Sequence, residues 1–131
     1  MANVKDILQD ADWKKEKHVP VIEVSNKSGK GEKISVLISV GKEIPHPNTT
    51  EHHICYIGVF FKPDDDKFPY SLGRFEFNAH GASVQGPNTS TVYTEPKVEL
   101  TFKTDKPGQI MAVSYCNIHG LWESSQKITV E

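Results

Sequence analysis

The chain predicts an all-β fold: a seven-stranded immunoglobulin-like antiparallel β-sandwich with a short N-terminal helical segment. Three observations predict it. Ile34, Val36, Ile38 and Val40 alternate with Lys33, Ser35, Leu37 and Ser39, a period of two that a half-buried strand explains. Six other short segments carry the β-branched and aromatic residues of strands. Turn signals made of Gly, Pro, Asn and Asp separate the segments within 131 residues, the rhythm of a sandwich.

In chain order, the opening residues suit a short helix with Asn3 as its cap and Val4, Ile7 and Leu8 on one face, ending near Trp13. Strands are expected over residues 19–24, 34–40, 54–62, 70–78, 98–103, 110–116 and 127–130, and Gly41 ends the second of them. Turns are expected at residues 26–31, 63–66, 86–88 and 106–108. The run 54–61 is apolar on both faces, so its second face should be covered by another subunit.

Composition narrows the function. The same run is far short of the ~20 apolar residues that cross a bilayer, and the first thirteen residues lack a basic stretch followed by an apolar one. No membrane span and no signal peptide are expected, and a cytoplasmic location follows. A net charge of −2 gives no general attraction to nucleic acid; Lys14, Lys15 and Lys17 form the one local basic cluster. The two cysteines, Cys55 and Cys116, should be free thiols in a reducing compartment.

Three segments carry candidate ligands. Cys116 and His119 form Cys-x-x-His at a strand end, and thiolate with imidazole suits zinc, copper or iron rather than magnesium or calcium. Pro45 and Pro47 hold the backbone around His46 extended, in a loop that also brings His52 and His53. Extended backbone sends those two rings to opposite faces, so at most one of them joins His46; the pattern leaves open which. His18 follows the lysine cluster at the start of a strand. A sandwich gathers such loops at its two ends.

If four imidazoles and one thiolate meet, five donors exceed a tetrahedral zinc site and leave one position open for a substrate. A divalent ion held by neutral imidazoles and one thiolate keeps a net charge of about +1, so a small anion should bind, and Lys17 adds to the field. A redox-active ion with a strong sulfur donor favours iron over zinc. Two other readings compete. A blue-copper-like electron-transfer protein would also place Cys and His on one loop, but it needs a downstream Met, and Met111 precedes Cys116. A binding or adhesion module with incidental histidines would hold no metal.

Five stretches carry a family resemblance: Glu16-Lys17-His18-Val19-Pro20; Gly41-Lys42-Glu43-Ile44-Pro45-His46-Pro47-Asn48-Thr49-Thr50-Glu51-His52-His53; Gly73-Arg74-Phe75-Glu76-Phe77; Val92-Tyr93-Thr94-Glu95-Pro96; and Ser114-Tyr115-Cys116-Asn117-Ile118-His119-Gly120-Leu121-Trp122. In order and spacing they resemble the one-iron, neelaredoxin-type superoxide reductases of the desulfoferrodoxin family. The resemblance implies that residues 1–131 form a single iron-binding domain. It implies one mononuclear iron, with His18, His46, His52 and His119 equatorial and Cys116 axial, and it selects His52 over His53 and leaves His80 unliganded. It further implies that Lys17 attracts superoxide and orders water for protonation, and that Glu16 closes onto the oxidised iron as a sixth ligand. The implied activity is one-electron reduction of superoxide to hydrogen peroxide without oxygen evolution, with re-reduction by rubredoxin or a similar electron carrier, in a homotetramer. No Cys precedes Cys55, so the four-cysteine iron domain of the two-iron relatives is not expected here.

Overall fold

The computed structural model describes residues 2–131; Met1, the first residue of the expected 1–131 domain, lies outside the described residues. Among the described residues helix is confined to α1 (Val4–Ile7), where the Asp6 carboxylate accepts the Asn3 backbone N–H at 2.9 Å. The expected continuation towards Trp13 does not form. Gln9 is extended instead: its N–H donates to the Leu121 carbonyl at 3.0 Å, and its carbonyl accepts the Glu123 N–H at 2.8 Å. Short helices are marginal because nucleation is unfavourable, and an open strand edge offers Gln9 both backbone bonds at once.

Eight strands follow: β1 (Pro20–Glu23), β2 (Lys27–Ser28), β3 (Ile34–Val40), β4 (Ile54–Pro63), β5 (Tyr70–Glu76), β6 (Lys97–Phe102), β7 (Gly108–Cys116) and β8 (Gly120–Val130). They build a three-stranded sheet, β1-β3-β6, and a five-stranded sheet, β2-β8-β7-β4-β5. Neighbours are antiparallel except β2 and β8. All seven expected strands are present. The eighth, β2, is a two-residue piece inside the expected turn 26–31.

The alternation in β3 points Ile34, Val36, Ile38 and Val40 into the core. They meet Val98 of β6 and, from the larger sheet, Ile57, Val59, Phe61, Ile110, Ala112 and Ile128. In β4 the pairing runs Ile54 to Cys116 and then Tyr56 to Tyr115, so Cys55 is an extra residue, a bulge. The bulge lets both Ile54 and Ile57 face inward.

Strand β8 begins at Gly120, seven residues before the expected 127; between the buried Trp122 and Ile128 its inward positions are the polar Ser124 and Gln126, which interrupts the apolar alternation. Ser124 Oγ donates to the Pro20 carbonyl at 2.6 Å, and Gln126 Nε2 donates to the Val24 carbonyl at 3.1 Å. Ser114 Oγ of β7, fully buried, donates to the His18 carbonyl at 2.9 Å. Carbonyls of even-numbered residues leave a strand on one side, and β1 has β3 as its only sheet neighbour. Three side chains of the larger sheet thus close the free edge of β1. A buried carbonyl left unpaired there would cost about 1–3 kcal/mol.

Candidate metal centre

The candidate ligands collect at one end of the sandwich, where β1 begins, the β3–β4 loop arrives and β7 turns into β8. His18 lies two residues ahead of β1, buried, with its carbonyl on Ser114. The loop to His46 folds back at Gly41, whose φ of +90° favours glycine and where a Cβ would sit 2.7 Å from the His46 backbone nitrogen. Thr49 and His52 close a tight turn: Thr49 N–H donates to the His52 carbonyl at 2.9 Å, and His52 N–H donates to Thr49 Oγ1 at 3.1 Å. Cys116 ends β7, and a three-residue turn carrying His119 leads to Gly120 at φ +84°. That turn lets His119 N–H donate to Cys116 Sγ at 3.4 Å.

The four imidazoles form a closed circuit. Ring centroids are 4.8 Å apart for His18 and His46, 4.8 Å for His46 and His52, 5.0 Å for His52 and His119, and 4.7 Å for His119 and His18. His18 and His52 stand 6.3 Å apart across it. His119 Nδ1 lies 3.1 Å from His18 Nε2, 3.2 Å from His52 Nε2 and 3.8 Å from Cys116 Sγ. Donor atoms of these four residues all lie within 4.8 Å of one another. His46 is outside that tightest group, yet its ring flanks both His18 and His52. Its Nδ1 donates to the Pro47 carbonyl at 2.7 Å, which leaves a buried Nε2 with no partner.

This arrangement fits a metal ion. Two nitrogens each about 2.1 Å from one ion and at right angles to it stand about 3.0 Å apart, close to the two short separations here. An ion would also engage the orphaned His46 Nε2, whose isolation otherwise costs about 1–3 kcal/mol. The donors turned together are then Nε2 of His18 and His52, with His46 offering Nε2, and Nδ1 of His119. A thiolate with several imidazoles suits iron, copper or zinc. Burial holds His46 at a pKa of about 4; the Pro47 carbonyl opposes this, and the electrostatic influence of the neighbouring His18, His52 and Lys17 reinforces it. His52 is also pushed below the ordinary histidine value, by burial first and then by His119, His18 and Lys17. Both rings therefore stay neutral at pH 7 and keep the lone pair a metal needs.

Neighbours fix the donors. Trp122 stacks on His18 with centroids 5.1 Å apart and planes 14° apart, and its Nε1–H donates to the His119 carbonyl at 3.2 Å. Gln9 Nε2 donates to the same carbonyl at 3.1 Å. Asn117 ties the two ligand segments together: Nδ2 donates to the Glu51 carbonyl at 2.8 Å, and Oδ1 accepts the His53 N–H at 2.9 Å. Glu16 Oε1 accepts the His18 backbone N–H at 2.8 Å and the His18 Nδ1–H at 2.5 Å. Burial raises the Glu16 carboxyl, but its bonds to His18 and the charge there outweigh that and leave it below the ordinary carboxylate value. The structure thus places Glu16 against the outer nitrogen of His18.

Of the six histidines, His53 and His80 stay apart from the centre and stack face to face, with centroids 3.5 Å apart. The residue pattern is compatible with either His52 or His53, and the fold turns His52 inward. Met111 pairs with Phe60 and Ser125, five residues along β7 from Cys116 and so roughly 16 Å away by strand rise; it supplies no axial donor of the blue-copper kind. Gln9 carried no sequence signal, since it meets His119 only through the fold.

Residues 10–125 match the desulfoferrodoxin family model. The chain is 56% identical over 128 residues to the superoxide reductase of Pyrococcus furiosus, covering 98% of this chain and 99% of that protein. A Thermotoga maritima crystal structure superimposes with a TM-score of 0.97 at 62% identity, covering 100% of this chain and 99% of that one. The superoxide reductase (neelaredoxin) of Archaeoglobus fulgidus in its reduced form superimposes with a TM-score of 0.87 at 59% identity, covering 94% and 98%. With a matching family model over most of its length and relatives of this identity, and with a histidine–cysteine cluster at one end of its own β-sandwich, the chain belongs to the desulfoferrodoxin family.

Proposed function

We propose that this chain is a superoxide reductase whose iron is held by His18, His46, His52, His119 and Cys116. The convergence of four imidazoles and one buried thiol at an end of the sandwich carries the reading. Iron bound there would cycle between Fe2+ and Fe3+ and supply one electron to superoxide, which with two protons drawn from solvent water would give hydrogen peroxide without oxygen evolution.

The chain's own residues do the rest. Lys17 lies close enough for its charge to act on His46 and His52, and it draws the anion towards the exposed His119 edge. Cys116 is fully buried, so its sulfur is shielded from solvent while His119 N–H steadies it. Glu16 holds the His18 ring by its outer N–H, fixing which nitrogen turns inward. Returning an electron after each turnover requires a donor, for which a rubredoxin-like carrier is the candidate. Both cysteines are free thiols, in keeping with a reducing, cytoplasmic setting.

Residues 1–131 act as one domain in this reading. The outer face of the larger sheet presents an apolar groove lined by Val4, Leu8, Tyr56, Phe60, Val113 and Leu121. This supports self-association, for which a homotetramer is the proposed assembly and sedimentation at micromolar concentration the test. Among the described residues, no helix is long and apolar enough to cross a membrane.

The deciding experiment is anaerobic purification with metal analysis, followed by a superoxide pulse. One iron per chain and peroxide with no oxygen released are expected. Copper in place of iron, or one oxygen for every peroxide, overturns the proposal.

A further inference from the structure

We propose that Asn88 is a positioning residue for the metal centre, acting on His52 through the turn that presents it. The inference rests on the reading of the centre given above. Asn88 lies between β5 and β6, far in sequence from every ligand. Among the described residues it is the one non-glycine residue with positive φ, at 58°, a conformation that asparagine tolerates better than most residues.

Its polar groups are engaged by the histidine loop. Oδ1 accepts the Thr50 N–H at 2.8 Å, and the Asn88 backbone N–H donates to Thr50 Oγ1 at 3.1 Å. Nδ2 donates to both carboxylate oxygens of Glu51, at 3.0 Å each. Thr50 and Glu51 are the two central residues of the turn closed by Thr49 and His52. Gripping the middle of a turn fixes the direction in which its last residue leaves, and here that residue is His52.

The same stretch fastens the loop at two further points. Thr50 Oγ1 donates to the His80 carbonyl at 3.0 Å, and Asn48 Nδ2 donates to the Thr94 carbonyl at 2.8 Å, two residues past His46. The packing is close. A Cβ on Gly81 would stand 3.1 Å from Asn88 Oδ1 and 3.2 Å from Thr50 Oγ1. A clamp bonded at four points to a ligand loop works as an outer shell for its donors.

The test titrates the full chain with cobalt(II), reading affinity by chelator competition together with the thiolate-to-cobalt absorption band. Asn88→Gly relieves the φ demand but removes the carboxamide. It is expected to lower cobalt affinity about tenfold and to shift the band, as is Asn88→Ala where that variant folds. Asn88→Asp combined with Glu51→Gln reverses donor and acceptor while keeping the link, and should recover most of the loss. Wild-type affinity and an unmoved band in Asn88→Gly, whatever its melting temperature, overturn the proposal. A native chain that binds no cobalt sinks the centre itself, and this inference with it.

Discussion

His52 and His53 are neighbours in sequence, yet one joins four converging donors and the other joins a stack. In the quartet the ring pairs around the circuit are steeply inclined, and their nitrogens turn towards a common point. In the pair of His53 and His80 the planes are 7° apart. His53 Nδ1 donates to the Thr49 carbonyl at 2.9 Å, and His80 Nε2 is bonded to the Phe77 carbonyl. Face-to-face rings direct their lone pairs in parallel, so they cannot share an ion. What makes a histidine a candidate ligand here is the orientation that its neighbours impose.

The contrast is broken most severely at Cys116. Cys116→Ser replaces a soft donor by a hard, weak one; superoxide reduction should vanish and any thiolate charge-transfer absorption with it. Full activity in that variant would sink the assignment of the centre.

Next in size is the pair His52→Ala and His53→Ala. The first should lose bound iron and activity. The second should keep one iron per chain and lose only about 1–2 kcal/mol of stability, the worth of a ring contact and a hydrogen bond. Metal analysis beside thermal unfolding separates them, and iron loss in the second would erase the distinction drawn above.

Lys17→Ala should slow superoxide capture roughly tenfold, about 1.4 kcal/mol, and flatten its dependence on salt, as stopped-flow or pulse radiolysis at two ionic strengths would show. An unchanged salt slope would remove Lys17 from the capture step. The smallest effect is expected from Glu16→Ala. Loss of the acceptor on His18 Nδ1 makes that imidazole a weaker donor to the ferric state, so the reduction potential should rise with little change in the rate of capture. A potential that stays put would show that the carboxylate does not act through the ring.

Much of this was legible in the residues. Alternation located β3, and the Cys-x-x-His of Cys116 and His119 and the proline-held loop of His46, His52 and His53 marked the candidate segments. The family resemblance implies five donors; the fold gathers donor atoms of His18, His52, Cys116 and His119 within 4.8 Å of one another and sets the His46 ring against two of those histidines. Other features depended on contacts that local pattern does not carry. The start of β8 lacks an apolar stripe because Ser124 and Gln126 face inward to serve carbonyls of β1. The helix stopped at Ile7 because a strand edge 112 residues away captured Gln9. Which ring nitrogens turn inward followed from Pro47, Glu16 and the Cys116 turn, none of which a period of two or of 3.6 encodes.

The seam that Ser114, Ser124 and Gln126 make along β1 reaches back to the peptide of His18 itself. It consists of hydroxyl and amide bonds to carbonyls beside an apolar interior, and Ser114, Ser124 and Gln126 are not among the candidate ligands. The scaffold is therefore expected to fold ahead of its cargo, unlike small zinc modules that are coil until they are loaded. Chelation should empty a standing house, and refilling it should not require the chain to fold again.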